Sequence, residues 1–141
     1  MRIYPDRPIV GVGAVIFLDG QVLLVKRAHE PLKGEWSLPG GVVDVGETLS
    51  AAVAREAREE TCLEVEVGPV VDVVERITAD DQGRVAYHFV IVDYLCRVIG
   101  GRLACASDAD AAEWVAIDAL GRFALTPTAV DVILKARKVR W

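Results

Sequence analysis

Three glutamates in the run TLSAAVAREAREET, residues 48–61, occupy positions where a helix gains nothing from them. At about 100° per residue, Leu49, Ala52 and Val53 form an apolar stripe, and Glu56 and Glu60 fall within about 20° of its centre. Two carboxylates therefore point inward. Glu59 flanks them near the C-terminal end, where the helix dipole repels an anion by roughly 0.3–1 kcal/mol. Anions gathered on a core-facing stripe call for a cation, and an all-carboxylate set suits a hard ion, Mg²⁺ or Mn²⁺. The plainer alternative is a solvated acidic face paired with Arg55 and Arg58. Arg58 lies opposite the stripe and Arg55 well to one side, so surface pairing accounts for Glu59 but not for Glu56 and Glu60 together.

The segment just upstream, WSLPGGVVDVGE at residues 36–47, ends a short apolar strand at Pro39-Gly40-Gly41 and leads through Gly46 to Thr48, a good helix N-cap. Glycine at 40 and 41 lets a phosphate approach without Cβ atoms in the way and leaves main-chain oxygen for a metal. An ordinary tight turn reads the same way in isolation.

Taken together, Gly41, five residues, Glu47, seven residues and Arg55-Glu56-Ala57-Arg58-Glu59-Glu60-Thr61-Cys62-Leu63 closely resemble the Nudix box, G-x5-E-x7-R-E-U-x-E-E-x-G-U, with U a bulky apolar residue. Six fixed positions in register arise by chance in about one chain in 10⁵ at ordinary residue frequencies. LLVKR and GEWSLPGG before the box, and EWVAIDAL after it, are similar to the family's flanks. The resemblance thus implies one Nudix domain over residues 1–141, with the box at 41–63. Two positions depart from the pattern. Ala57 is smaller than the usual apolar residue, and Cys62 stands where the box has glycine. That position suits a left-handed conformation, costing a non-glycine residue roughly 1–2 kcal/mol. The Cys62 thiol is expected to be a small buried hydrophobe rather than a ligand.

The resemblance also implies a chemistry: water attack on phosphorus in a nucleoside diphosphate linked to another moiety. On that pattern Glu56 and Glu60 are the main Mg²⁺ ligands, with Mn²⁺ as a substitute. Glu59 is a third ligand or a partner of the attacking water, and the Gly40 carbonyl completes the set. Arg55 orients the carboxylates, and Glu47 anchors Arg55 or reaches metal through water. Gly41 and Arg27, at the end of the LLVKR strand, would meet substrate phosphate. The family draws its general base from variable loops, and the acids of residues 107–114 are expected in one; Asp108 is the first choice, ahead of Asp110 and Glu113. Neither a proline nor a tyrosine marker stands about fifteen residues past the box, where Thr78 and Ala79 lie. VAYHFVIVDYLC and SDADAAEWV look like small ADP-ribose pyrophosphatase-like members. ADP-ribose is therefore the leading substrate and a (d)NTP pyrophosphatase of nucleotide-pool cleansing the alternative. A Nudix module that binds a nucleotide without cleaving it would be expected to lack a box glutamate; Glu47, Glu56, Glu59 and Glu60 are all present.

Composition fits a small enzyme. With 141 residues, 52% of them hydrophobic, the chain can bury one substantial core. A net charge of −5 disfavours nucleic-acid polymers and acidic membranes as partners and makes a polyanionic substrate dependent on metal and local arginines. Three widely spaced cysteines, Cys62, Cys96 and Cys105, suggest neither a disulfide framework nor a zinc site, so a reducing, cytoplasmic setting is expected. The apolar run 9–18 is too short to span a bilayer and reads as a strand. A homodimer is what the family resemblance implies.

The elements that must position these residues are legible in outline. Strands are expected at 9–18 and 22–27, joined as a hairpin by Asp19-Gly20, and at 63–67, 70–77, 85–98 and 114–117, with a turn at Gln82-Gly83. Helical spacing at 126–138, with Pro127 in the first turn, predicts a second helix. Strands with two substantial helices predict a layered α/β (α+β) domain, which the resemblance sharpens to an α/β/α sandwich around a mixed sheet. Gly11 and Gly13 lack the third glycine of a dinucleotide fingerprint and are expected to ease strand packing, and His88 is expected to be a packed strand residue.

Overall fold

The computed structural model describes residues 3–30, 32–104 and 109–141. Strands β1 (Ile9–Leu18), β2 (Gln21–Arg27), β3 (Trp36–Ser37) and β4 (Gly40–Val42) precede helix α1 (Leu49–Thr61). Strands β5 (Leu63–Ala79), β6 (Val85–Gly101) and β7 (Ala109–Ala116), a 3-10 turn (Ile117–Arg122) and helix α2 (Pro127–Ala136) follow. The strands form one mixed sheet in the order β3-β2-β1-β6-β5, with β4 also paired to β1 and β7 to β2.

Alternation along the central strands assigns each face a helix. Val12, Ala14 and Ile16 of β1 and Leu23 of β2 pack with Ala52, Val53 and Ala57 of α1. Val15, Val22 and Leu24 face the other way, onto Val132, Ile133 and Ala136 of α2. This is the α/β/α sandwich expected. Among the described residues no helix is long and apolar enough to cross a membrane.

The Asp19-Gly20 turn joins β1 and β2 antiparallel, as expected. The structure differs from the expected elements at two places. The segments 63–67 and 70–77 belong to one strand, β5, whose register against β6 shifts between Val67 and Val70 around Gly68-Pro69. Residues 109–116, expected as acidic loop giving way to strand at 114, form β7 throughout, held by antiparallel pairing along β2 from Gln21↔Ala116 to Arg27↔Ala109. Tertiary pairing overrides the weak strand propensity of Ala and Asp there.

Helix α1 begins where Thr48 predicts, its hydroxyl accepting from the Ala51 N–H at 3.2 Å. It ends at Cys62, which is left-handed (φ 64°, ψ 11°), with its N–H donating to the Arg58 carbonyl at 2.9 Å. The thiol is exposed, correcting the expectation of a buried hydrophobe: a residue at this cap is turned away from the core. Cys62→Gly is expected to stabilise the domain by about 1 kcal/mol, relief of left-handed strain exceeding the added unfolded-state entropy. Urea denaturation checks this, with a rise in midpoint at unchanged m-value as the expected result.

Candidate active site

The inner face of α1 places Glu56 and Glu60 one turn apart, only 9% and 5% exposed, against β4. Their burial follows from their phase on the apolar stripe, and Glu59, off that stripe, is exposed. The Gly40 N–H donates to Glu60 Oε1 at 3.1 Å. The Glu56 carboxyl lies directly over the Cα of Gly41, in the space any Cβ there would fill, so that glycine is a steric requirement of the acid, while a Cβ at Gly40 would collide with the Val12 carbonyl of β1.

Arg55 gathers the remaining acids. Its Nε and Nη2 donate to the two oxygens of Glu47 at 2.7 and 2.9 Å, and Nη1 donates to Glu56 at 2.7 Å and to Glu59 at 3.3 Å. Nη2 also donates to the Val42 carbonyl at 3.1 Å, tying the helix to β4. The bidentate grip of Arg55, aided by the Asp44 N–H, holds the Glu47 carboxyl down at about 2, and Glu47 in turn raises the guanidinium. Arg58, on the opposite side, pairs with Glu64 at 3.6 Å.

The inward pair behaves oppositely. Burial pushes Glu60 up to about 9, the Gly40 N–H offsets part of this, and the neighbouring Glu56 adds to it. Burial also raises Glu56, against the pull of Arg55. Two adjacent carboxyls thus face a cleft with less positive charge than they need. That cleft is lined by Arg27, His29, Ser37, Gly40 and Gly41 as well as by Glu56 and Glu60. Among the described residues no three acid, histidine or cysteine side chains converge to enclose an ion. The available donor set is two carboxylates with main-chain oxygen, and Mg²⁺ commonly binds through one or two carboxylates, keeping waters and substrate phosphates as its other ligands. The residues present fit such an ion.

Of the expected site residues, Glu47, Arg55, Glu56 and Glu59 are joined by hydrogen bonds, and Glu60, Gly40, Gly41 and Arg27 line the cleft beside them. Asp108 lies outside the described residues. Asp110 and Glu113, expected in a loop, lie on β7, with Glu113 exposed. His88 is half-buried in β6, opposite Ile77.

A second, larger cleft of about 130 Å³ adjoins the first and shares Arg27, Ser37, Gly40 and Gly41 with it. Trp36, Leu38 and Phe89 give it apolar walls, and the N-terminal turn of α2 closes one side. Asp93 of β6 also lines it. This acid, which the sequence reading passed over, is 4% exposed, and its carboxyl occupies the space a side chain on Gly13 would take. The signal was available: it is a lone acid inside the apolar run VAYHFVIVDYLC.

Burial pushes Asp93 up to about 7, with repulsion from Asp72 adding and Arg76 opposing. A carboxyl raised in the folded state stabilises fully below its unfolded value of 3.8, and that stability is lost as pH rises to about 7. Asp93→Asn removes this slope. The variant is therefore expected to exceed the parent in stability at pH 8 by roughly 2 kcal/mol, and by less at pH 5, in denaturant titrations at the two pH values.

The family profile described as NUDIX domain matches residues 7–135. The ADP-ribose pyrophosphatase of Methanocaldococcus jannaschii is 38% identical over 117 residues, covering 83% of this chain and 67% of the relative. An 8-oxo-dGDP phosphatase of Homo sapiens is 37% identical over 98 residues, 68% of this chain but only 28% of the relative. Among solved structures, a MutT NUDIX hydrolase from Burkholderia pseudomallei superposes with a TM-score of 0.76 at 33% identity, over 96% of this chain and 100% of that one.

Proposed function

The chain belongs to the Nudix family, hydrolases of phosphoric anhydride bonds in nucleotides, and from that premise we propose that it is a Mg²⁺-dependent pyrophosphohydrolase acting on ADP-ribose or a related nucleotide sugar. The observation that carries this reading is the buried pair Glu56 and Glu60, raised by desolvation and facing a cleft between the Gly40-Gly41 strand and Arg27. A site so deficient in positive charge is built for a cation and the phosphates it accompanies. Residues 1–141 would act as one domain.

Glu56 and Glu60, with the Gly40 carbonyl, would hold Mg²⁺, which when bound supplies positive charge to the phosphate oxygens as the anhydride P–O bond breaks. The chain's own groups do the rest. Arg55 fixes the Glu56 carboxylate and is itself fixed by Glu47, so the ligand face is preorganised. Arg27, lining both clefts, meets the diphosphate where it passes from one to the other. Glycine at 40 and 41 lets phosphate approach the backbone. Glu59, only loosely held by Arg55 at 3.3 Å and exposed, would orient the attacking water or serve as a third ligand, and Asp108 is the first choice to accept the water's proton.

The likeness to a human 8-oxo-dGDP phosphatase favours a second reading, a hydrolase of free (deoxy)nucleoside polyphosphates. Product analysis with Mg²⁺ separates the two. AMP plus ribose 5-phosphate from ADP-ribose is the expected result, abolished by EDTA. Pyrophosphate plus dNMP from a mixed dNTP pool would move the assignment to the second reading, and no product from either would overturn both.

A further inference from the structure

Helix α1 covers only part of its face of the sheet. Val12, Ala14 and Ile16 of β1 and Leu63, Val65 and Val67 of β5 pack with it, and the rest of that face lies beyond the helix. Side chains alternate along a strand and directly paired residues share a face, so Val10, two positions before Val12, marks where the face continues. Val10 pairs with Val90 of β6, and β6 pairs with β5 as Val92↔Val73, Val90↔Glu75 and His88↔Ile77. The result is an apolar patch across three strands. Val10, Val73 and Ile77 are 43%, 58% and 57% exposed, Val90 and Val92 are half-buried, and all of them stand outside the cores on both sides of the sheet. Contiguous exposed apolar surface, unlike scattered exposed side chains, marks a place where another molecule sits.

Two polar groups within the patch say what covers it. Glu75 and His88 lie on one diagonal of the β5–β6 ladder, at a separation of about 7–8 Å between backbones. Among the described residues neither side chain has an ion-pair or hydrogen-bond partner. An acid and an imidazole side by side on an apolar face complement a copy of themselves. When two chains stack face to face about a twofold axis that crosses between these residues, Glu75 of each lies opposite His88 of the other, and each imidazole N–H meets a carboxylate. The same axis sets Ile77 against Ile77 and Val90 against Val90, apolar against apolar. A partner whose surface is uniformly acidic or uniformly basic would leave one of the two groups facing its own kind.

We propose that two copies of the chain associate through this face, in an isologous interface centred on Ile77 and Val90 and closed by reciprocal Glu75–His88 contacts. The patch has far fewer residues than the roughly 20–30 a side of a standard interface, so the association is reversible, with Kd in the micromolar range. Sedimentation equilibrium tests it on the parent, on Ile77→Asp, on Glu75→Lys, on His88→Glu and on the last two combined, with a thermal melt of each. Ile77→Asp is expected to raise Kd by about thirtyfold or more, and either charge change alone by about tenfold, since each spoils the match across the axis. The combined variant is expected to return to within about threefold of the parent, because the exchanged charges again face one another. The charge variants carry the comparison by themselves if Ile77→Asp fails to melt cooperatively. A parent that stays monomeric up to about 0.5 mM overturns the proposal, whatever else binds the patch. So does a dimer indifferent to Ile77→Asp, or a combined variant no tighter than the single ones.

Discussion

Glu60→Gln is expected to lower Mg²⁺-dependent turnover by at least about two orders of magnitude while leaving the domain folded. Glutamine keeps an oxygen for the Gly40 N–H, so the 3.1 Å contact between α1 and β4 survives. What disappears is the negative charge that the inner of the two acids, 5% exposed and not among the hydrogen-bond acceptors of Arg55, can offer a metal ion. Because burial holds that carboxyl in its neutral form without metal, the amide is no burden to the metal-free protein, whose thermal midpoint should hold or rise. The measurement is steady-state turnover over a Mg²⁺ titration beside a thermal melt. Activity within a few fold of the parent at saturating Mg²⁺ would refute the assignment of Glu60 as a metal ligand. Loss of the melt transition would show instead a purely structural acid.

Arg55→Met should produce the largest loss of stability of any single change at the site. The guanidinium is the hydrogen-bonded cation for Glu47, Glu56 and Glu59, and it binds the Val42 carbonyl besides. Removing one partner of a buried pair typically costs 3–5 kcal/mol. Arg55 is 22% exposed, which lowers the expectation to about 2–4 kcal/mol, or roughly 10 °C in Tm for a chain of this size. Arg55→Lys should recover little, since one ammonium cannot span Glu47 bidentately while reaching Glu56 and the backbone. A melt of both variants decides the matter, and equal stability of the lysine variant and the parent would show that charge alone, not the planar fork, holds these acids.

How much of this could be read from the chain depended on distance along it. The burial of Glu56 and Glu60 and the exposure of Glu59 follow from helical phase over a dozen residues. The Thr48 cap and the Asp19-Gly20 turn are local chemistry, equally legible. The left-handed backbone at Cys62 was readable for the same reason, but the side chain's exposure was not, since that depends on where the cap points. Asp110 and Glu113 read as loop acids because strand β7 exists only through its pairing with β2, some ninety positions earlier. Continuity of β5 through Gly68-Pro69 likewise depends on β6 beside it. Asp93 was visible as an acid in an apolar strand, but what it faces is set by Gly13, eighty residues away.

That seam governs more than the shape of a pocket wall. Every rung between β1 and β6, from Ile9↔Phe89 to Ile16↔Cys96, joins residues 80 apart, and the pairing is parallel, so no short hairpin can nucleate it. The β1–β2 and β5–β6 hairpins close through short turns and can form early. Joining them requires closure of a long loop that contains α1, an entropic cost incurred before any of the eight rungs offsets it. The slow event in folding is thus expected to be the docking of two prebuilt hairpins, and it is the event that brings Gly13 against Asp93. During synthesis the chain emerges through β5 with β1 lacking its parallel neighbour, an apolar edge open to other chains until β6 arrives. A nascent copy therefore has its highest risk of aggregation late in translation, after the whole box has been made and before it can work.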